Sequence, residues 1–336
     1  MIRVAIVGLG GVGQKHFRAL QEIEEVEITA LIDRDKAAYT QNRSVYSTDI
    51  HWYASLEACM DQFDVLYVCT PPSSHEALSI TAMSHGKDVF CEKPISNSIE
   101  SALRMIDCAQ SNHRSLCIGY NMRYRPSYLR MKQLIDESVI GRALQFWCLR
   151  IGMLTVPAHN WRVTQHELVG MTVESLSHEF DTIRWLFGEI ETVSAVISES
   201  HKNLPGFDDN TSVRLKLASG AFATITASWS SHLKKSSRGI VGTTGSIEMF
   251  GDDVWSVSAL RWQSTGDTCE KVMHYSENLD YHDYAGINRA FIGSLAGRPA
   301  EYPDGTDGLM ALKASLAVLD SAKRGGEATF LKGVGP

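Results

Sequence analysis

The chain has 336 residues, 44% of them hydrophobic and 21% charged, with a formal charge of −7. That length and mixture describe a soluble globular protein of two domains rather than one core. No apolar run approaches the roughly 18 residues of a membrane span, and no Lys/Arg block marks a nucleic-acid partner. The seven cysteines form no C-x-x-C pair and several lie in apolar strand-like runs, so buried thiols are expected, with no disulfide and no metal site. The first residues read directly as a strand rather than a signal peptide, which makes the cytoplasm the expected compartment.

Ile2 to Val7 is a nearly continuous apolar run, the pattern of a parallel strand buried on both faces. Gly8-Leu9-Gly10-Gly11-Val12-Gly13 follows, a G-x-G-x-x-G match. Val12, His16, Ala19, Leu20 and Ile23 then recur at helical spacing, and a second strand, Val26 to Ile32, ends at Asp33. Each part has a physical task. Gly8 permits the tight turn, Gly10 lets the backbone approach a pyrophosphate, and Gly13 allows close packing of helix on strand. The helix start around Gly11 and Val12 presents N–H groups and a positive dipole end to the phosphates. Asp33 lies where an acid can accept from the adenosine ribose hydroxyls. Glycines alone make an ordinary turn; strand, glycines, helix, strand and acid in this order predict a dinucleotide site. Asp33 repels a 2′-phosphate and favours NAD(H). Arg34 beside it can pair with that phosphate, which keeps NADP(H) as the alternative.

The alternation continues. Asp64 to Cys69 reads as a strand and leads into Thr70-Pro71-Pro72-Ser73-Ser74-His75, then helical spacing through Ala77, Ile80 and Met83. Asp88 to Cys91 is a strand followed by Glu92-Lys93-Pro94, with Lys93-Pro94 a candidate cis peptide. A helix through Ile99, Leu103 and Ile106 precedes the strand Ser115 to Gly119. Strands alternating with helices imply a doubly wound parallel sheet, over residues 1–120. Ligands bind beyond the carboxyl ends of such strands. Thr70 to Pro72, Glu92 to Pro94 and Tyr120 to Arg123 are therefore predicted to converge on one cleft.

In the second half, Leu144–Ile151, Thr192–Ser198, Ser212–Leu217, Ala221–Trp229, Ser246–Phe250 and Val254–Trp262 are strand-like, with a hairpin connection at 216–221. Between them, Thr172 to Gly188 reads as a helix. Val173, Leu176, Phe180, Ile183 and Phe187 form its apolar stripe. Glu174, His178 and Asp181, four and three apart, share another face with Trp185. A polar helix face is ordinarily solvated; the tryptophan argues against that here.

Several of these segments together carry a resemblance: Gly8 to Gly13 with His16, Asp33, Cys69 to His75, Gly86 to Pro94, Gly119 to Pro126, Trp161-Arg162, Ser177 to Asp181 and Asp304-Gly305. The chain resembles the Gfo/Idh/MocA oxidoreductases, the glucose–fructose oxidoreductase and inositol 2-dehydrogenase family. The resemblance implies a second α/β domain, residues 121–336, built on a large, mostly antiparallel sheet that binds substrate and serves oligomerisation. The last helix would pack back on the first domain. It implies an NAD(P)-dependent dehydrogenase acting on a CH–OH group of a sugar, sugar derivative or cyclitol, working as a homodimer or homotetramer.

Lys93 would bind the reacting oxygen and touch the nicotinamide ribose, His178 would serve as general acid/base, and Glu174 would orient substrate or histidine. The histidine and lysine roles can be exchanged. Thr70, Pro71 and Pro72 would line the nicotinamide side, with Glu92 alongside and His75 near the ribose or phosphates. Asn121, Arg123, Trp161, Arg162 and Asp181 would border the substrate, with a structural ion pair as the plainer role for Arg123, and His16 would pack. The family pattern has Asp where Glu174 stands. The longer acid arm points away from plain inositol or glucose and toward modified or nucleotide-linked sugars. Two other readings stay open: a dinucleotide-sensing regulator without turnover, and a reductase of a dihydrodiol or imine.

Overall fold

The computed structural model describes residues 1–42, 44–46, 49–155, 170–200, 206–275 and 279–331. In chain order the elements begin with β1 (Ile2–Val7), α1 (Gly11–Leu20), β2 (Val26–Ile32), α2 (Lys36–Gln41), β3 (His51–Tyr53), β4 (Val65–Val68), α3 (His75–Ser84), β5 (Asp88–Cys91), α4 (Ile99–Ser111) and β6 (Leu116–Ile118). They continue with α5 (Pro126–Asp136), β7 (Ala143–Met153), α6 (Met171–Glu174), α7 (Ser177–Phe187), β8 (Ile190–Ser198), β9 (Asn210–Leu217), β10 (Phe222–Ser228) and β11 (Ser230–Gly242). The last are β12 (Gly245–Gly251), β13 (Ala259–Ser264), β14 (Lys271–His274), α8 (Leu279–Leu295), α9 (Gly305–Lys323) and β15 (Thr329–Phe330). The chain divides into two compact units, Met1–Tyr124 with Asp280–Leu312, and Arg125–Leu279 with Lys313–Pro336.

The first unit holds a parallel sheet of order β3-β2-β1-β4-β5-β6. The apolar runs that predict its strands are buried: Val4, Ala5 and Ile6 of β1 and Leu66, Tyr67 and Val68 of β4 are fully enclosed. β1, β2 and β5 have the predicted bounds, and β4 and β6 are one residue shorter at each end. The half-exposed three-residue β3 carries no pattern that would announce it. Helix α1 packs through Phe17, Ala19 and Leu20, and α4 starts where the Ser98 hydroxyl accepts from the Ser101 N–H at 3.1 Å. Tyr67 stacks on Phe90 with ring centres 4.7 Å apart, and Phe291 of α8 meets both edges. Ile287 and Ile292 of α8 join the same core. Strand order reverses between β2-β1 and β1-β4, which sets the ligand crevice at the carboxyl ends of β1 and β4.

The second unit holds a sheet of order β14-β13-β12-β11-β7-β10-β9-β8-β15. It is antiparallel except where β10 runs parallel to β7. The predicted hairpin at 216–221 joins β9 to β10, with Gly220 at φ +83° and its N–H on the Leu217 carbonyl at 2.9 Å. Two expectations need correction. The predicted strand Val254–Trp262 begins only at Ala259, because the Ser256 hydroxyl takes up the Asp253 N–H at 2.9 Å and bends the chain. The predicted helix Thr172–Gly188 is two helices. It breaks at Ser175, whose hydroxyl accepts from Arg150 at 2.9 Å.

Of the seven cysteines, four are buried, two partly buried and Cys269 exposed, and all are free thiols. Among the described residues no helix is long and apolar enough to cross a membrane.

Candidate active site

At the end of β1 the chain turns at Gly8, φ +92°, where a Cβ would stand 2.6 Å from the Cys69 backbone. A Cβ on Gly13 would collide with the Gly8 carbonyl, which is the close helix–strand approach expected of that position. Gly10 and Gly11 have open space on the side where a side chain would stand, and Val12 is partly exposed at the start of α1. Glycines at a helix N-terminus with open space above them fit the pyrophosphate of a dinucleotide. Asp33 sits at the end of β2. One carboxylate oxygen accepts from the Leu9 N–H at 2.9 Å and the other from the Asp35 N–H at 3.0 Å, so it fastens the glycine turn. Each oxygen keeps lone-pair capacity for a ribose hydroxyl. Arg34 is exposed beside it.

The three strand tips of the first unit come together. His75, fully buried at the start of α3, faces the Thr70 carbonyl with Nε2 at 2.8 Å and the Pro94 carbonyl with Nδ1 at 2.9 Å. Burial keeps its imidazole below the ordinary pKa, against those two carbonyls. His75 is expected near the ribose or phosphates; its ring is enclosed and ties the tip of β4 to the tip of β5. Thr70 and Pro71 are half-buried, and Pro72 is buried. The Lys93-Pro94 peptide is cis, as expected.

Glu92 is buried, with Oε1 3.0 Å from His16 Nε2 and Oε2 accepting from the Lys93 N–H at 3.2 Å. Lys93 itself is half-buried. Asn121 is buried beyond β6, and Arg123 pairs with Asp307 at 3.1 Å, the plainer of its two expected roles.

The second unit carries the helical residues. Glu174, at the end of α6, is 6% exposed, and His178 and Asp181, on α7, are 6% and 1% exposed, so none of the three is solvated. Glu174 Oε1 accepts from the Gly170 N–H at 3.3 Å, folding back over the start of α6. The His178 ring meets Trp255 edge-on, centres 6.0 Å apart. Trp161 and Arg162 lie outside the described residues.

Sequence reasoning missed four residues that hold this helix pair. Glu179, fully buried, binds Arg150 at 3.0 Å and Arg238 at 2.5 Å. Burial pushes its carboxyl up; the charges of Arg238 and Arg150 outweigh that and hold it at about 2. The Arg150 guanidinium stacks over Trp255, 3.9 Å from the ring centre. Asp208 caps α6, accepting from the Thr172 N–H and the hydroxyls of Thr172 and Thr211, and burial still raises its carboxyl above the ordinary value. Glu179 lies inside the Ser177–Asp181 motif, but its partners are far away in the chain and no spacing reveals them.

A six-stranded 3-2-1-4-5-6 parallel sheet with a glycine turn at its switch point defines a dinucleotide-binding protein, here joined to a large antiparallel sheet. Residues 2–120 match the model of the oxidoreductase family with an NAD-binding Rossmann fold, GFO_IDH_MocA, and residues 128–248 match the GFO/IDH/MocA C-terminal domain. The chain belongs to the Gfo/Idh/MocA family and is an NAD-binding oxidoreductase, a dehydrogenase. It is 26% identical over 339 residues to inositol 2-dehydrogenase of Rhizobium meliloti, covering 96% of each chain. Among solved structures it is similar to a levoglucosan dehydrogenase in complex with NADH and levoglucosan (TM-score 0.88, 19% identity, 98% and 99% coverage). It is also similar to the WlbA dehydrogenase of Bordetella pertussis in complex with NADH and UDP-GlcNAcA (TM-score 0.85, 21% identity, 98% of each chain).

Proposed function

We propose that the protein transfers a hydride between a nicotinamide cofactor, NAD(H) in preference to NADP(H), and a secondary alcohol or ketone of a sugar, sugar derivative or cyclitol. The nicotinamide supplies the hydride acceptor or donor when bound. Lys93 steadies the reacting oxygen with its ammonium, His178 takes or returns the hydroxyl proton, and Glu174 orients the histidine or the substrate. Asn121, Asp181, Trp161 and Arg162 border the substrate. The observation that carries this reading is that Lys93 stands on the same row of strand tips as the glycine turn, its neighbour Pro94 tied to that turn through His75 and Thr70. The Glu174 arm favours a modified or nucleotide-linked sugar. A homodimer or homotetramer is the expected assembly.

The test is turnover. Purified protein is given NAD with cyclitols, hexoses, uronic sugars and sugar nucleotides, and NADH formation is followed at 340 nm. Reduction of NAD by any of them is the expected result. NADH binding without turnover on the whole panel, in both directions, would favour the sensor reading. The cofactor preference has its own test. Asp33→Ser removes the charge that repels a 2′-phosphate and leaves Arg34 free to pair with it. The ratio of kcat/KM for NADP to that for NAD is expected to rise by about tenfold or more, since each 1.4 kcal/mol is one decade. An unchanged ratio assigns the ribose to another residue.

A further inference from the structure

The first unit contains a buried polar couple that hydride transfer does not itself require. His16 sits on α1 with its ring fully enclosed by Phe90, Tyr284 and Tyr67, centres 4.7, 4.9 and 5.3 Å away. An apolar residue would pack α1 on the sheet as well. Instead its Nε2 faces Glu92 Oε1 at 3.0 Å, and its Nδ1 faces the Asn288 amide oxygen on α8, also at 3.0 Å. The other Glu92 oxygen accepts from the Lys93 N–H. Gly119, at the tip of β6, leaves the room: a Cβ there would stand 2.8 Å from Glu92 Oε1. Helix α1 and the tips of β5 and β6 thus meet around one carboxylate, with α8 behind the imidazole, and a buried carboxylate is costly unless it is paired.

We propose that Glu92 and His16 form a positioning pair for Lys93, fixing its backbone and setting a permanent negative charge within reach of its ammonium. The inference rests on the reading of Lys93 as the donor to the reacting oxygen. Burial by itself would raise the Glu92 carboxyl; the His16 bond and charge and the Lys93 ammonium outweigh it and hold it below its ordinary value. Coupling of this kind is reciprocal, so ionised Glu92 favours protonated Lys93 by the same amount.

The other titratable groups at this edge do not supply that charge. The thiols of Cys69 on the tip of β4, Cys91 on β5 and Cys117 on β6 are pushed up by burial and stay neutral. His75 of α3 is pushed down and stays neutral as well. Arg123 is matched by Asp307. Helix α8 contributes the Asn288 amide, which fixes the imidazole.

The experiment measures the acid dissociation of Lys93 directly. The full chain without cofactor is pulse-acetylated across a pH series, and the Lys93 peptide is quantified by mass spectrometry. In Glu92→Gln, which keeps shape and removes charge, the Lys93 midpoint is expected to fall by about one pH unit or more. The limb of the kcat profile that follows Lys93 is expected to move acidward with it. His16→Leu is expected to act in the same direction, because the unpaired carboxylate takes up a proton. His16→Gln, whose amide N–H can donate to Glu92, is expected to return the midpoint most of the way. If Glu92→Gln does not fold, the His16→Leu and His16→Gln pair makes the same comparison.

A Lys93 midpoint equal to wild type in folded Glu92→Gln, or in folded His16→Leu, overturns the proposal. Undiminished turnover in Lys93→Ala would sink the functional reading instead, and the labelling result separates the two failures.

Discussion

Lys93→Ala is expected to lower kcat by about 10²-fold or more while the protein stays folded, the scale seen when a donor to a developing oxyanion is removed. The side chain stands half-buried beyond the end of β5 and outside the apolar core, so little packing is lost with it. Its place at the carboxyl end of a parallel strand is where such sheets gather their ligands. Lys93→Arg keeps the charge but exchanges a compact ammonium for a planar fork, and is expected to recover only part of the rate. Steady-state kinetics and a thermal melt on the same preparations check both statements. A kcat near wild type in the alanine variant would remove Lys93 from the chemistry.

Glu179→Gln is expected to cost about 3–5 kcal/mol of stability, because it leaves Arg150 and Arg238 buried with no anion between them. Denaturant titration reads that loss as a shift in midpoint. The pH dependence follows from the lowered carboxyl. Its folded value of about 2 lies below that of an unfolded glutamate, about 4.3. The stabilisation is therefore fully present above the unfolded value and is lost as pH falls through the folded one. Between roughly pH 4.5 and 2 the wild type should lose stability steeply and the variant less so. Equal slopes in that window would show that Glu179 is not the anion that matters. Activity should fall as well, since Arg150 also holds the break at Ser175 and stacks on the tryptophan that meets His178.

The first sheet was legible because parallel strands buried on both faces read as unbroken apolar runs, and β1, β2 and β5 emerge with their exact limits. The second sheet was less so. β11 went unrecognised although it is a central strand, because Ser236, Ser237 and Arg238 are polar and buried at once. Arg238 is there for Glu179, and Gly239 beside it makes way for the Trp147 ring; neither demand leaves a period of two. The glycine turn and the Lys93 tip could be picked out as residues, since each follows directly on an unbroken apolar strand; the helical spacing of Glu174 and His178 does not carry across the break at Ser175. Spacing does not report what the opposing element brings. That is why the two carbonyls that His75 binds, and Asn288, 272 positions from His16, had no signal.

Helix α8 has a consequence for the birth of the protein. The nucleotide-binding unit is not finished when its sixth strand has left the ribosome. Ile287, Phe291 and Ile292 still have to arrive, about 170 residues later, to cover Tyr67 and Phe90 and to deliver the amide that steadies His16. Until then the half-made domain exposes an oily seam. The antiparallel unit is translated in the interval, so the nascent chain holds an open first core while a second one is being assembled.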